Sequence, residues 1–167
     1  MIAFRPWEPR DRRFVLKSWL DSYAAAYTAG LISMRRWNSV MRVEIDEMLD
    51  RPAQVIVAYN PDDAEPVADL IGFIAYDLAS FRLPYVYYVY TKAPFRRWGY
   101  KNRRRVGDGV ARQLFAAAGI DPEGPFEYAA STQKVRELQR KIPLARWNPL
   151  LARYPLEEAR RHDAKQR

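Results

Sequence analysis

Tyr85-Val-Tyr-Tyr-Val-Tyr-Thr91, then Lys92-Ala-Pro-Phe95, then a basic segment, then Gly109-Val-Ala-Arg-Gln-Leu-Phe-Ala-Ala-Ala-Gly119: this succession decides the fold. The first seven residues are aromatic or β-branched, the side chains that suit a half-buried pleated surface, and Pro84 precedes them. They predict a strand. Residues 109–118 predict a helix of small residues, stopped at Gly119, which supplies the left-handed cap. Between the two, Lys92, Arg96, Arg97, Lys101, Arg103, Arg104 and Arg105 are basic, and no acid stands among them. A block of that kind concentrates positive potential and attracts polyanions, whether coenzyme A, with its pyrophosphate and ribose phosphate, or nucleic acid.

Outward from this core, the chain of 167 residues is the size of one domain and long enough to bury a core. Its 49% hydrophobic and 14% aromatic content argue against disorder. There is no cysteine, which excludes disulfides, thiolate metal sites and cysteine nucleophiles. His162 is the single histidine and lies in a charged tail, so no metal site is expected. Residues 1–10 are broken by charges and prolines and lack the apolar core of a signal peptide. No apolar run approaches the ~20 residues of a membrane span. A soluble, cytoplasmic protein that does not engage a membrane is expected.

Upstream, residues 2–7 read as a short strand. Asp11 suits a helix N-cap, followed by the stripe Phe14, Val15, Trp19, Leu20 and Tyr23, with Gly30 closing the region. Ser33 suits the cap of a second helix with Trp37, Met41, Ile45, Met48 and Leu49 on one face, ended by Pro52. Gln54–Tyr59 and residues 67–78 read as strands of an antiparallel meander, separated by the turn residues Asn60-Pro-Asp-Asp63. Downstream, residues 126–130 read as a fifth strand and 135–141 as a helix. Trp147, Leu150, Leu151 and Tyr154 read as an apolar staple onto the body. Residues 1–156 form one domain in this reading, and 157–167 a charged tail.

The resulting order, β, α, α, β, β, β, long loop, α, β, α, resembles that of the GNAT acyltransferase superfamily. The resemblance is most specific at Gly109-Val110-Ala111-Arg112-Gln113-Leu114-Phe115, which looks like the family's Gly-Ile-Gly/Ala-x-x-Leu-Leu after a strand. It implies an α/β (α+β) fold, with a mixed, mostly antiparallel central sheet flanked by helices. It also implies acetyl-CoA as the acyl donor. Small residues let the backbone approach the pyrophosphate, and the N–H groups opening the helix point at the anion. By the same resemblance, Val89, Tyr90 and Thr91 would bond the pantetheine arm through their backbone. Arg104, Arg105, Gly107, Gly109, Val110, Ala111 and Ser131 complete the implied donor site. The match departs from the family at residues 98–108, which stand like an insertion, and Val106 occupies the place of the usual Arg or Gln. Two shifted registers, Arg96-x-x-Gly99-x-Lys101 and Arg104-x-x-Gly107-x-Gly109, fit in part. Gly109 and Ala111 are preferred because a leucine follows at the right helical position.

N-acyl transfer needs a base for the amine proton and an acid for the thiolate. The family's tyrosine after the fifth strand has no counterpart in residues 131–141, and residues 85–91 lack the family's glutamate. Tyr88, Tyr90 and Tyr128 are the candidates, with Asp77 and Ser131 as further polar groups. Each also has a packing role open to it, since strand tyrosines commonly bury their rings. The acidic cluster Asp62, Asp63 and Glu65 reads as a solvated loop.

Three functions are consistent with these residues. The first is an acyl-CoA-dependent N-acyltransferase acting on an unidentified amine. The second is nucleic-acid binding, or DNA modification on a phage-type GNAT scaffold. There, Arg96, Arg97, Trp98, Lys101, Arg103, Arg104 and Arg105 would combine phosphate contacts with base stacking. The third is a non-catalytic GNAT-like assembly module, for example of a phage particle.

Overall fold

The computed structural model describes residues 2–27, 34–50, 54–62, 70–95, 109–129 and 144–147. The elements are β1 (Ala3–Pro6), α1 (Arg12–Tyr27), α2 (Met34–Asp50), β2 (Gln54–Tyr59), β3 (Leu70–Asp77), β4 (Tyr85–Thr91), α3 (Val110–Ala117), β5 (Phe126–Tyr128) and β6 (Ala145–Trp147). The six strands form one sheet in chain order. β1 through β4 pair antiparallel, whereas β5 joins β4, and β6 joins β5, in parallel. This is the mixed, mostly antiparallel sheet flanked by helices that the sequence implies.

Strand β3 explains why the sheet has two covered faces. All eight of its residues are buried, as expected of a strand packed on both sides rather than alternating with solvent. One face meets α1 and α2: Val15, Trp19, Ile45 and Leu49 pack against Val55, Val57, Phe73, Tyr85, Tyr87 and Tyr88. The other meets α3: Val110, Leu114, Phe115 and Ala118 pack against Ile71, Ile74, Tyr76, Val86, Phe126 and Tyr128. The helical stripes read from the sequence therefore supply the core, and Val15, Ile45 and Leu114 are fully buried.

Several local expectations are revised. Asp11 closes a short 3-10 turn rather than standing as the N-cap of the helix, and its carboxylate reaches backward. It accepts the Glu8 backbone N–H at 2.8 Å and a bidentate pair of bonds from Arg5 at 2.6 and 3.0 Å. Burial alone would push this carboxyl up, but the Arg5 hydrogen bonds and the Glu8 N–H outweigh it and hold it below the usual carboxylate range. Strand β3 ends at Asp77, so Leu78 lies outside it and is exposed. Strand β5 ends at Tyr128. Residues 145–147 form a strand, β6, that the sequence did not announce; it ends at Trp147, and the other staple residues, Leu150, Leu151 and Tyr154, lie outside the described residues. The expectations for Gly30, Ser33, residues 67–69, the helix at 135–141 and the tail at 157–167 lie outside the described residues.

Candidate functional site

Strand β4 is bonded along its whole length on one side and briefly on the other. Towards β3 the register runs from Tyr85 opposite Asp77 to Thr91 opposite Gly72. Towards β5 it consists of Tyr85↔Glu127 and Val86↔Tyr128. Two flanking bonds extend it, from the Glu127 N–H to the Pro84 carbonyl at 2.9 Å and from the Ala129 N–H to the Val86 carbonyl at 3.0 Å. Among the described residues the β4–β5 ladder stops there, and β4 continues to Thr91. The outer half of β4 is therefore described by its pairing with β3.

A bulge sets what β4 presents on each face. Ala75 faces Tyr88 and the next residue, Tyr76, faces Val86, so Tyr87 is the extra residue. An inserted residue reverses the alternation of side chains beyond it. Accordingly Tyr85, Tyr87, Tyr88 and Tyr90 all lie on the α1/α2 face, and Val86 and Val89 on the α3 face. The Lys92 N–H donates to the Ile71 carbonyl at 2.8 Å. Peptide groups alternate sides along a strand, so Tyr90 also turns its own towards β3, while Val89 and Thr91 turn theirs away from it.

The mouth of α3 is the second part. Gly109 is its N-cap, with an extended backbone (φ −65°, ψ 149°) that does not itself demand glycine. Among the described residues, a Cβ built there meets nothing within 4 Å. The Arg112 and Gln113 N–H groups both donate to the Gly109 carbonyl, at 2.9 and 3.2 Å. The N–H groups of Val110 and Ala111 precede the first intrahelical bond and head the helix dipole. The Val110 side chain is buried in the α3 core and Ala111 is exposed, so the mouth is anchored by one and open at the other. Arg112 turns aside to Glu123, 2.9 Å away.

The three candidate tyrosines do not converge. The Tyr88 ring stacks on Trp19 at 5.0 Å, and its hydroxyl lies 2.7 Å from Ser22 Oγ, which also bonds main-chain carbonyls of α1. The half-buried Tyr90 lies on the same face, with its ring centroid 6.1 Å from Phe14 and 5.9 Å from Phe73. The Lys92 ammonium sits 5.3 Å from the centre of the Phe14 ring, so β4 ends in an aromatic wall bearing a cation. Tyr128 is buried on the opposite face, at the last rung of the β4–β5 ladder. Asp77 is engaged elsewhere: its Oδ1 accepts the N–H groups of Ala79 and Ser80 at 2.8 and 2.9 Å and shapes the turn into β4. Gly107, Ser131 and the basic residues Arg96, Arg97, Trp98 (interleaved with them), Lys101, Arg103, Arg104 and Arg105 lie outside the described residues. Among the described residues no cluster of His, Asp or Glu could hold a metal ion, and no helix is long and apolar enough to cross a membrane.

The fold has a counterpart among solved structures. A protein described as a "possible acetyltransferase" from Clostridium difficile 630 superposes with a TM-score of 0.50 at 13% identity, covering 86% of this chain and 89% of that one. The chain shares that protein's fold, a mixed sheet flanked by helices. A protein described as a "putative acetyltransferase of the GNAT family" from Desulfovibrio desulfuricans matches at a TM-score of 0.38 and 18% identity, over 71% of this chain and 64% of that one. An "acetyltransferase with acetyl-CoA" from Clostridium acetobutylicum matches at 0.42 and 12% identity, over 84% and 88% of the two chains. No family model and no curated protein matches this sequence. At these identities the likeness is one of fold. Sequence reasoning had no signal for the bulge at Tyr87, because no glycine marks it.

Proposed function

We propose that this chain is an acyl-CoA-dependent N-acyltransferase, with acetyl-CoA as donor and an amine as acceptor. The observation that carries the reading is the pairing of two features: a β4 edge that outruns β5 among the described residues, and an α3 mouth at Gly109, where an added Cβ meets none of them within 4 Å. Val89 and Thr91 would bond the amide groups of the pantetheine arm in the manner of a neighbouring strand. The Val110 and Ala111 N–H groups would take the pyrophosphate, favoured by the helix dipole. Residues 96–108 join the end of the turn after β4 to Gly109, and Arg104, Arg105 and Gly107 among them would add charge and backbone contacts. Ser131 would contact the donor from beyond β5.

Bound acetyl-CoA supplies a thioester whose C–S bond breaks as the amine nitrogen forms its bond to carbon; the amine loses a proton and the thiolate takes one. The chain's part is mainly to hold the reactants in register and exclude water. Tyr88, Tyr90 and Tyr128 are the residues put forward for the proton transfer. The test is a thermal-shift titration with acetyl-CoA, where a ligand present at 100 times its Kd stabilises by about 2.7 kcal/mol. A rising midpoint supports the reading. No shift at millimolar acetyl-CoA overturns it.

A second reading is favoured by the basic connection itself, whose seven cations and interleaved Trp98 and Tyr100 exceed what one diphosphate needs. Nucleic acid bound there would dissociate with salt, with a log–log slope of about −0.7 to −0.9 per phosphate contacted. Replacing Arg103, Arg104 and Arg105 by alanine should flatten that slope and leave any acetyl-CoA stabilisation in place.

A further inference from the structure

Two backbones approach unusually closely at one point of the sheet, and that point is the end of β4. A Cβ added to Gly72 would lie 2.4 Å from the Tyr90 carbonyl oxygen and 3.2 Å from the Thr91 Cα, both main-chain atoms. Real Cβ atoms do not stand so near, and main-chain atoms cannot rotate aside, so an alanine at position 72 must push β3 and β4 apart. β3 is held on its far side by β2, from Leu70 opposite Tyr59 to Tyr76 opposite Gln54, so the change in separation falls at the Tyr90–Thr91 end of β4.

We infer that Gly72 is a positioning residue for the proposed donor site: by lacking a side chain it lets β3 hold the Tyr90–Thr91 end of β4 close, and so sets where Val89 and Thr91 stand. The inference rests on the donor reading above. Gly72 itself touches no ligand. It acts through Val89 and Thr91, whose outward peptide groups move with the strand. Three neighbouring features bear on the same strip. Ala58 faces Gly72 and Tyr59 faces Leu70, so Ile71 is a bulge residue, and it is the Ile71 carbonyl that receives the Lys92 N–H at 2.8 Å. The end of β4 is thus clamped by a hydrogen bond at Lys92 and by close backbone contact at Gly72.

The test compares the full-length chain, Gly72→Ala and a control, Val57→Ala. Val57 is fully buried in β2, so its truncation destabilises the same sheet without touching β4. Acetyl-CoA affinity is measured by calorimetry at a temperature where all three are folded. A sub-ångström to ångström displacement of binding groups should weaken acetyl-CoA by roughly tenfold or more in Gly72→Ala, with Val57→Ala within about twofold of the unmutated chain. Equal affinities for Gly72→Ala and the unmutated chain overturn the inference while leaving the donor reading intact. Failure of the unmutated chain to bind overturns the donor reading itself. Should Gly72→Ala not fold, amide exchange in the unmutated chain decides. The Lys92 amide must be protected without ligand and unchanged by acetyl-CoA, and the Val89 amide must gain protection only when acetyl-CoA is added. A Lys92 amide that exchanges as freely as Val89 shows that β3 does not hold the strand end, and the inference falls.

Discussion

The two sides of β4 were built by different means. On the β3 side, an antiparallel hairpin closes through the Asp77 turn, and every residue from Tyr85 to Thr91 stands in or beside a rung. On the β5 side the partner arrives in parallel, from more than thirty residues along the chain, and meets only Tyr85 and Val86. Antiparallel strands joined by a short turn fix their register locally, whereas a parallel pair needs a crossover and is free to pair over a short stretch. The contrast teaches that, among the described residues, the extent of pairing along β4 follows connectivity: it is long with the hairpin partner β3 and short with β5, which arrives by a crossover.

The largest expected effect tests the closed side. Replacing Asp11 by alanine removes the bidentate partner of the Arg5 guanidinium, which is 19% exposed and is left with Glu8 at 3.6 Å and the Pro6 carbonyl at 3.1 Å. Removal of one partner of a buried pair costs about 3–5 kcal/mol, so urea denaturation should show a loss near the lower end of that range. The same pair dictates a pH dependence. The folded carboxyl titrates below its unfolded value of about 3.9, so its stabilisation is fully present above that value and fades as pH falls through the lower, folded one. Asp11→Asn should flatten the stability profile there.

Leu114→Ala probes the junction from the α3 side. The residue is fully buried, and a cost of about 2–4 kcal/mol is expected in urea denaturation. Because α3 carries Gly109 at its head, acetyl-CoA affinity should fall with it. Gly109→Val separates the two quantities. Its Cβ meets no atom of the described residues and its backbone is extended, so stability should change by less than about 1 kcal/mol. Acetyl-CoA stabilisation should nevertheless be lost. A variant that keeps full acetyl-CoA binding would remove the α3 mouth from the site. The smallest effect on stability is expected for Tyr88→Phe, about 1 kcal/mol for the hydroxyl shared with Ser22. Loss of turnover with stability otherwise intact would assign Tyr88 to the proton transfer.

Much of this contrast was legible in the sequence. The aromatic and β-branched run at 85–91, the stripes of α1 and α2 and the glycine-to-glycine span of α3 gave the element order, because each carries its own periodicity and punctuation. Asp11 was misread because a carboxylate in a short turn after a proline serves either the helix ahead or the N–H behind, and only the position of Arg5 in the neighbouring strand decides. Residues 145–147 were missed because three residues hold too little periodicity to announce a strand; the parallel ladder with Phe126, Glu127 and Tyr128 defines them. The bulge at Tyr87 was invisible for a related reason. With tyrosine at 85, 87, 88 and 90, either parity looks equally aromatic, and the face of each ring depends on a register that pairing with β3 imposes. The strand and the helix that frame the proposed donor site were legible, but the close approach at Gly72 was not, since it depends on the distance between backbones rather than on a motif.

The Asp77 turn has a consequence for how the molecule assembles. Its carboxylate secures two N–H groups within three residues, so the β3–β4 hairpin draws on contacts close in sequence and can form early, whereas β5 and β6 must close long loops and come late. A nucleotide-bearing ligand seated at the fork would then favour the last step of folding. Synthesis of this chain in cells depleted of that ligand should leave a larger fraction open at its C-terminal third to proteolysis.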